Sequence, residues 1–319
     1  MNAKAHSLEV NELIIGLRRA VEGALEGKEE VVRLAFIALI AQGHILLEDV
    51  PGVGKTTLAR ALAEAVGGAM NRVQFTNDLL PSDVLGISVF DQKESKFSLR
   101  KGAIFCNVLL ADEINRASPR TQSALLEAMN EGQVSIDGET YRLPDPFFVV
   151  ATQNPQDFSG TFPLPESQLD RFMMRLEIGY PPSDVETSLF LSSEGGQPKV
   201  LETVLEPGHL LRLQAAVAQV KMDPSLGQYI QQIMHATRTS SHLAVGASTR
   251  AGLSLARAAR ARALVEGRSH CLPDDIYELA VPLLAHRVRL ASHSEGYVPN
   301  RDEAETVIQD LISRIAAPL

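Results

Sequence analysis

Apolar residues fall into two regimes along this chain. From about residue 43 to 180, short unbroken apolar runs alternate with stretches of helical spacing; beyond residue 200 only the helical spacing remains. The runs Ile45–Leu47, Arg72–Phe75, Val108–Ala111 and Phe147–Ala151 read as strands. They are continuous rather than alternating, the pattern of a parallel sheet buried on both faces. Residues 8–42 read as two helices broken near Gly23–Gly27, the second with Val31, Val32, Leu34, Ala35, Ala38 and Leu39 as its apolar face. Val134–Leu143 alternates around Asp137-Gly138, a strong hairpin signal. Ile87–Phe90 and Lys96–Leu99 flank a charged tip and form a second, weaker hairpin candidate. Pro181-Pro182-Ser183-Asp184 cannot continue a helix or a central strand, and Ser192–Pro198 is polar and rich in Gly and Ser. Helices are expected over Gly208–Val220, Ser225–Thr239, Thr249–Glu266, Pro273–Leu290 and Asp302–Ile315. The expected organisation is an α/β domain over residues 1–180, a linker over 181–200 and an all-helical domain over 201–319.

A length of 319 residues suits two domains. Aromatics make up 5% of the chain and Trp is absent, so the core must be aliphatic. The net charge of −9 argues against a general surface for nucleic acid or anionic membrane. Cys106 and Cys271 are far apart in apolar surroundings and read as buried free thiols in a reducing cytosol. The first six residues carry no apolar secretion segment, and no apolar stretch reaches membrane-spanning length. A cytoplasmic protein without membrane insertion is expected. The histidines lack metal-binding spacing, and His286 and His293 read as structural or exposed.

The chemistry concentrates in Asp49-Val50-Pro51-Gly52-Val53-Gly54-Lys55-Thr56, between the first strand and a helical pattern. Strand, glycine turn and helix is the context of a phosphate-binding loop. Glycines let the backbone approach phosphate, so N–H groups from Gly52 through Thr57 can point inward. The helix start favours an anion. Lys55 can reach β- and γ-phosphates, and the Thr56 hydroxyl can ligate Mg²⁺. Asp49 stands where such loops usually begin with Gly; Pro51 and Gly52 supply the bend. Val108–Ala111 runs into Asp112 and Glu113. After such a loop, Asp112 can hold the Mg²⁺ shell and Glu113 can polarise a water. Phe147–Ala151 runs into Thr152-Gln153-Asn154, where Asn154 can orient that water.

Two arginines remain open. Arg171 follows the proline-broken loop Phe162-Pro163-Leu164-Pro165. It either stabilises phosphate charge in a neighbouring subunit or forms a surface ion pair with Asp170 or Glu166, and the residues alone favour the ion pair. Arg250 opens a helix with Ser248 as its N-cap and either contacts nucleotide or is one of several helix arginines. Arg116 and Arg120 lie near the acidic strand end and face either a neighbour or solvent.

Together these motifs resemble the AAA+ ATPases, most closely the MoxR family, from about Glu22 to His286. Gly43–Thr56 looks like Walker A, Asp112–Ala117 like Walker B, Ala151–Pro155 like sensor 1, Leu164–Phe172 like the segment carrying the arginine finger, and Gly246–Ala251 like sensor 2. Thr249 departs from the Pro more usual there. The resemblance implies a P-loop αβα domain with a parallel central sheet and a helical lid. It implies roles for Arg171 and Arg250, ATP with Mg²⁺, a homo-oligomeric hexamer ring, and a chaperone-like action on client proteins with von Willebrand factor A domains. The alternative is a nucleic-acid-dependent AAA+ motor, but the hairpin tip Asp137-Gly138-Glu139 would repel phosphate. A small-molecule kinase would not need Glu113 and Asn154 together, and a module with little turnover would not need the intact set.

Overall fold

The computed structural model describes residues 12–16, 21, 23, 25–93, 95–154, 160–191, 208–291 and 301–318. The chain divides into two units, one of residues up to Phe36, His44–Leu164 and Leu176–Leu211, the other of Ile37–Gly43, Pro165–Arg175 and Arg212–Leu319.

The central sheet has as strands, in chain order, β1 (Ile45–Glu48), β2 (Met70–Gln74), β5 (Val108–Asp112), β8 (Phe148–Gln153) and β9 (Met174–Leu176), the first four within the first unit. Their spatial order is β2-β5-β8-β1-β9, and β2–β5, β5–β8 and β8–β1 pair in parallel. The unbroken apolar runs have the expected consequence: Leu46, Leu47, Leu109, Leu110, Val149 and Val150 are fully buried. β2 departs from that pattern. It is an edge strand whose side chains are half-buried or exposed, which is why Arg72 and Gln74 are tolerated there. The chain leaves β1 for the far edge and later returns past it to β9. The carboxyl ends of β1 and β8 therefore flank a topological switch point, where open α/β sheets place ligands.

Both expected hairpins form, β3 (Gly86–Asp91) with β4 (Lys96–Lys101) and β6 (Gln133–Ile136) with β7 (Glu139–Arg142). β9 has three residues, too few to show a period, and the sequence reading missed it. Residues 183–191, expected within a linker, form a helix, Ser183–Leu191. The preceding prolines start that helix rather than merely ending what comes before. The Ser192–Pro198 stretch lies outside the described residues.

In the second unit the helices are His209–Gln219, which begins just before its boundary, Pro224–Thr239, Thr249–Val265, Pro273–Leu284 and Arg301–Ser313. The Pro273 helix is shorter than expected. Pro282 lacks a backbone donor, and after Leu284 the chain tightens into a 3-10 turn, Ala285–Arg287. Arg289–Leu290 then forms β11, paired with β10 (Leu243–Val245), so this unit is not purely helical. Asp275 is fully buried; it bonds to Arg262, accepts from Arg268 at 2.5 and 2.7 Å and from the Leu272 amide at 2.7 Å. A buried carboxylate needs such complete satisfaction. His286 is buried, as a structural reading requires, while His293 lies outside the described residues. Cys106 and Cys271 are buried free thiols, and burial pushes both up to about 11.

His44, next to β1, fastens the sheet to the helix Pro119–Glu131. Its Nδ1 accepts from the Val149 amide at 3.0 Å, which leaves Nε2–H to donate to the Met129 carbonyl at 3.0 Å. Burial depresses its pKa to about 4. The unfolded imidazole protonates near 6.5, so between pH 6.5 and 4 the unfolded chain binds the extra proton and stability falls as pH falls. The full effect is roughly 3 kcal/mol. Denaturant midpoints should therefore drop over this window more steeply for the native chain than for His44→Gln, which keeps one acceptor and one donor. Equal drops would show that His44 contributes no pH dependence.

Candidate active site

β1 ends at Glu48 and the helix Lys55–Ala65 begins after six intervening residues. Gly52 and Gly54 make the turn between them, with φ of 87° and 102°. These values suit glycine, and at Gly52 the space a Cβ would occupy is open, which leaves room over the loop. Val53 is buried under the turn, while Lys55, Thr56 and Thr57 are half-buried at the helix start.

Asp49 has a definite task in place of the missing glycine. It is 4% exposed, and its Oδ1 accepts from the Val50 amide at 3.0 Å. Its Oδ2 accepts from the amides of Ile178 and Gly179 at 2.6 and 2.9 Å. The carboxylate thus pins the loop to the segment that leaves β9. Lys55 Nζ donates to the Asp49 carbonyl at 2.8 Å. Burial lowers the Lys55 pKa, while Asp49, Asp112 and Glu113 oppose that shift. The lysine therefore lies within the field of Asp112 and Glu113.

Asp112 closes β5, and the pairing of Ala111 with Ala151 sets it beside Thr152 of β8. The fully buried Thr152 hydroxyl donates to Asp112 Oδ1 at 2.6 Å and accepts from the Glu113 amide at 2.9 Å. Glu113 is held at φ 55°, a left-handed conformation uncommon outside glycine and a form of strain found at functional sites. Thr152 fixes both acids, and the sequence reading passed over it as part of a polar strand end. Arg72 and Arg116 occupy the acids' remaining valence: Arg72 Nη2 lies 2.6 Å from Asp112 Oδ2, and Arg116 Nε lies 3.0 Å from Glu113 Oε2. This pairs Arg116 with Glu113 within the same chain. Buried Gln122 donates to the carbonyls of Ile114, Ala117 and Phe162 at 3.2, 3.2 and 2.9 Å, bracing the turn after Glu113. Asn154 is half-buried just past β8, beyond Gln153, whose amide bonds Glu48 beside the loop.

Arg171 and Arg250 belong to the second unit. Arg171 is half-buried after the short helix Glu166–Leu169; Arg250 is exposed in the first turn of the helix Thr249–Val265. Ser248 caps that helix as expected, accepting from the Ala251 amide at 3.1 Å. Asp170 has Arg287 at 3.6 Å and Glu166 has Arg289 at 3.4 Å.

The donor set fits a nucleotide with a hard divalent cation. A hydroxyl and a carboxylate, Thr56 and Asp112, are the oxygen ligands Mg²⁺ prefers. Thr56 and Arg72 line a cavity of about 400 Å³ together with Arg60, Glu64 and Met70. Among the described residues no group of three or more His, Cys, Asp and Glu could hold a metal, so any ion here would need ligands from the nucleotide and water.

Two family models match the chain. One, the ATPase family associated with various cellular activities (AAA), covers residues 44–174; the other, the AAA lid domain, covers 235–313. Loop, acids and lid define an ATPase of the AAA class. Chaperone MoxR1 of Mycobacterium tuberculosis is 38% identical over 99% of this chain and 84% of its own length. Protein MoxR of Paracoccus denitrificans is 33% identical over 89% of each chain. The Bacillus subtilis protein YeaC, itself uncharacterised, is 46% identical over 95% of each. A crystal structure from Cytophaga hutchinsonii, provisionally named an ATPase, aligns with a TM-score of 0.90 at 34% identity, covering 99% of this chain and 98% of that one. The chain belongs to the MoxR family of AAA ATPases.

Thr152 offers a test of the site that leaves every candidate catalytic side chain in place. Thr152→Val keeps the shape but removes the bond to Asp112 and strands the Glu113 amide. Hydrolysis should slow by roughly ten- to a hundredfold, the scale of a small misplacement at a reacting centre, with ATP affinity nearly unchanged. An unchanged rate in a steady-state assay would show that Thr152 does not set the acids' geometry.

Proposed function

We propose that the protein is a chaperone-like remodelling factor that hydrolyses ATP and works as a ring-shaped homo-oligomer, a hexamer, on client proteins carrying von Willebrand factor A domains. The observation that carries the hydrolytic part is the Thr152 hydroxyl joining Asp112 to the Glu113 backbone, in the field of Lys55. A nucleotide switch needs no second acid; a hydrolase does. The chaperone part is supported by the name of the mycobacterial relative, and the client class rests on the family resemblance.

In this reading Lys55 binds the β- and γ-phosphates, and the amides of Gly52 through Thr57 line the cradle. Thr56 and Asp112 would hold Mg²⁺, which when bound neutralises charge on the β- and γ-phosphates. Glu113 draws a proton from the attacking water, and Asn154 orients that water. Glu113 must first leave Arg116, a partly exposed pair that costs little to break. Arg171, supplied by a neighbouring subunit, stabilises charge on the transferring phosphoryl group, and Arg250 contacts nucleotide from the lid. The motor alternative gains nothing from the β6–β7 hairpin: Asp137 and Glu139 are exposed at its tip, where a DNA-tracking element needs cations, while the sequence of the β3–β4 tip mixes Asp91 and Glu94 with Lys93 and Lys96.

Glu113→Gln should bind ATP yet hydrolyse it at least about a hundredfold more slowly, the scale of a lost general base. It should also retain client proteins in a pull-down with ATP. A near-normal rate would assign water activation to another residue. Arg171→Ala should bind ATP normally and hydrolyse it about 10³-fold or more slowly. Mixing it with Lys55→Ala, inactive by itself, should restore activity where an intact Arg171 faces an intact Lys55. No recovery in mixed oligomers verified by mass would mean that Arg171 does not act across an interface.

A further inference from the structure

Arg171 and Arg250 are 79 residues apart in sequence, yet the second unit ties the chain beside one to the chain beside the other. Asp170 immediately precedes Arg171. Both its carboxylate oxygens accept from the Ser248 hydroxyl, at 3.3 and 3.2 Å. Ser248 is also the N-cap of the helix that carries Arg250 two residues later. Beneath them lies Arg287, its side chain 2% exposed. Its Nε is 3.6 Å from Asp170 Oδ1, and its Nη2 donates to the Phe172 carbonyl at 2.6 Å. His286 Nε2 lies 3.0 Å from the same carbonyl. Arg287 thus grips the residues on both sides of Arg171, and Phe172, fully buried, anchors the turn.

We propose that Asp170, Ser248 and Arg287 form a clamp that fixes Arg171 and Arg250 relative to one another, so that the finger and the lid arginine move as a single piece. The proposal rests on the reading of Arg171 as the finger. Any motion of the lid helix on nucleotide binding would then be transmitted to the cation offered to the neighbouring site.

The energetics favour positioning over simple stabilisation. Buried ion pairs contribute little net stability compared with apolar packing. Here the arrangement is costly as well: Arg287 Nη1 is buried with no hydrogen-bond partner among the described residues. Burial, and secondarily the nearby charge of Arg250, lowers the Arg287 pKa to about 10, with Asp170 opposing. One carboxylate therefore holds together a region dense in arginine. Such strain is expected where cations must be preorganised for a developing charge.

Removing Arg287 could unfold the unit, so the test uses the surface partners, with each variant assayed where it is folded. Ser248→Asp caps the helix as well as serine but sets a second carboxylate against Asp170. Ser248→Thr keeps the hydroxyl. Asp170→Asn removes the charge. We expect Ser248→Asp and Asp170→Asn to lower kcat by about tenfold or more, Ser248→Thr to stay near the native rate, and Ser248→Asp to keep the native melting temperature. The double variant Asp170→Asn with Arg171→Ala should lose less than the product of the two single losses, because the clamp acts in part through that arginine. A native rate for Ser248→Asp, or losses that multiply in the double variant while Arg171→Ala is slow, would overturn the clamp and leave the finger reading intact. A native rate for Arg171→Ala would overturn both.

Discussion

The hydrogen bond from the Thr152 hydroxyl to Asp112, 2.6 Å long, is set by the pairing of two buried strands. β5 and β8 pair in parallel with Ala111 opposite Ala151, and their side chains are buried on both faces of the sheet. That register makes Thr152 the neighbour of Asp112. The same hydroxyl accepts from the Glu113 amide, and this lets Glu113 keep a left-handed conformation that few other residues would hold. Core packing therefore reaches the chemistry through one side chain. The strain at Glu113 is local and stands against a fully buried sheet behind it.

The unbroken apolar runs made the central strands legible, since a parallel sheet covered on both faces needs no alternation. The glycine turn after β1 and the two acids at the end of β5 stood out because their residue types are dictated by backbone curvature and charge. β9 and the β10–β11 pair escaped, having three, three and two residues, too few for any period to appear. The helix Ser183–Leu191 escaped because a proline pair reads equally as a stop and as a start. Thr152 was hidden for a different reason. Its role depends on what lies across the sheet, and a single sequence does not carry strand order. Asp49 was visible as a departure from pattern, but its partners at Ile178 and Gly179 lie 129 and 130 residues away.

The carboxylates of this protein fall into two kinds, and the difference explains how one fold can be both firm and changeable. Asp275 is fully buried and saturated by Arg262, Arg268 and a backbone amide. Removing any partner would leave a charge in a dry interior, so this network has one stable state. Asp112 and Glu113 are also paired, but with Arg72 and Arg116, whose side chains are 52% and 43% exposed. Water can replace such partners at little cost, and the net contribution of each pair is small. The acids at the strand end are therefore occupied yet releasable. Their backbone positions are fixed by Thr152, while their charges are only lightly held. An incoming group with a stronger claim on Asp112 or Glu113 needs to displace an arginine side chain that is already half in solvent, and no element of the sheet has to move for it.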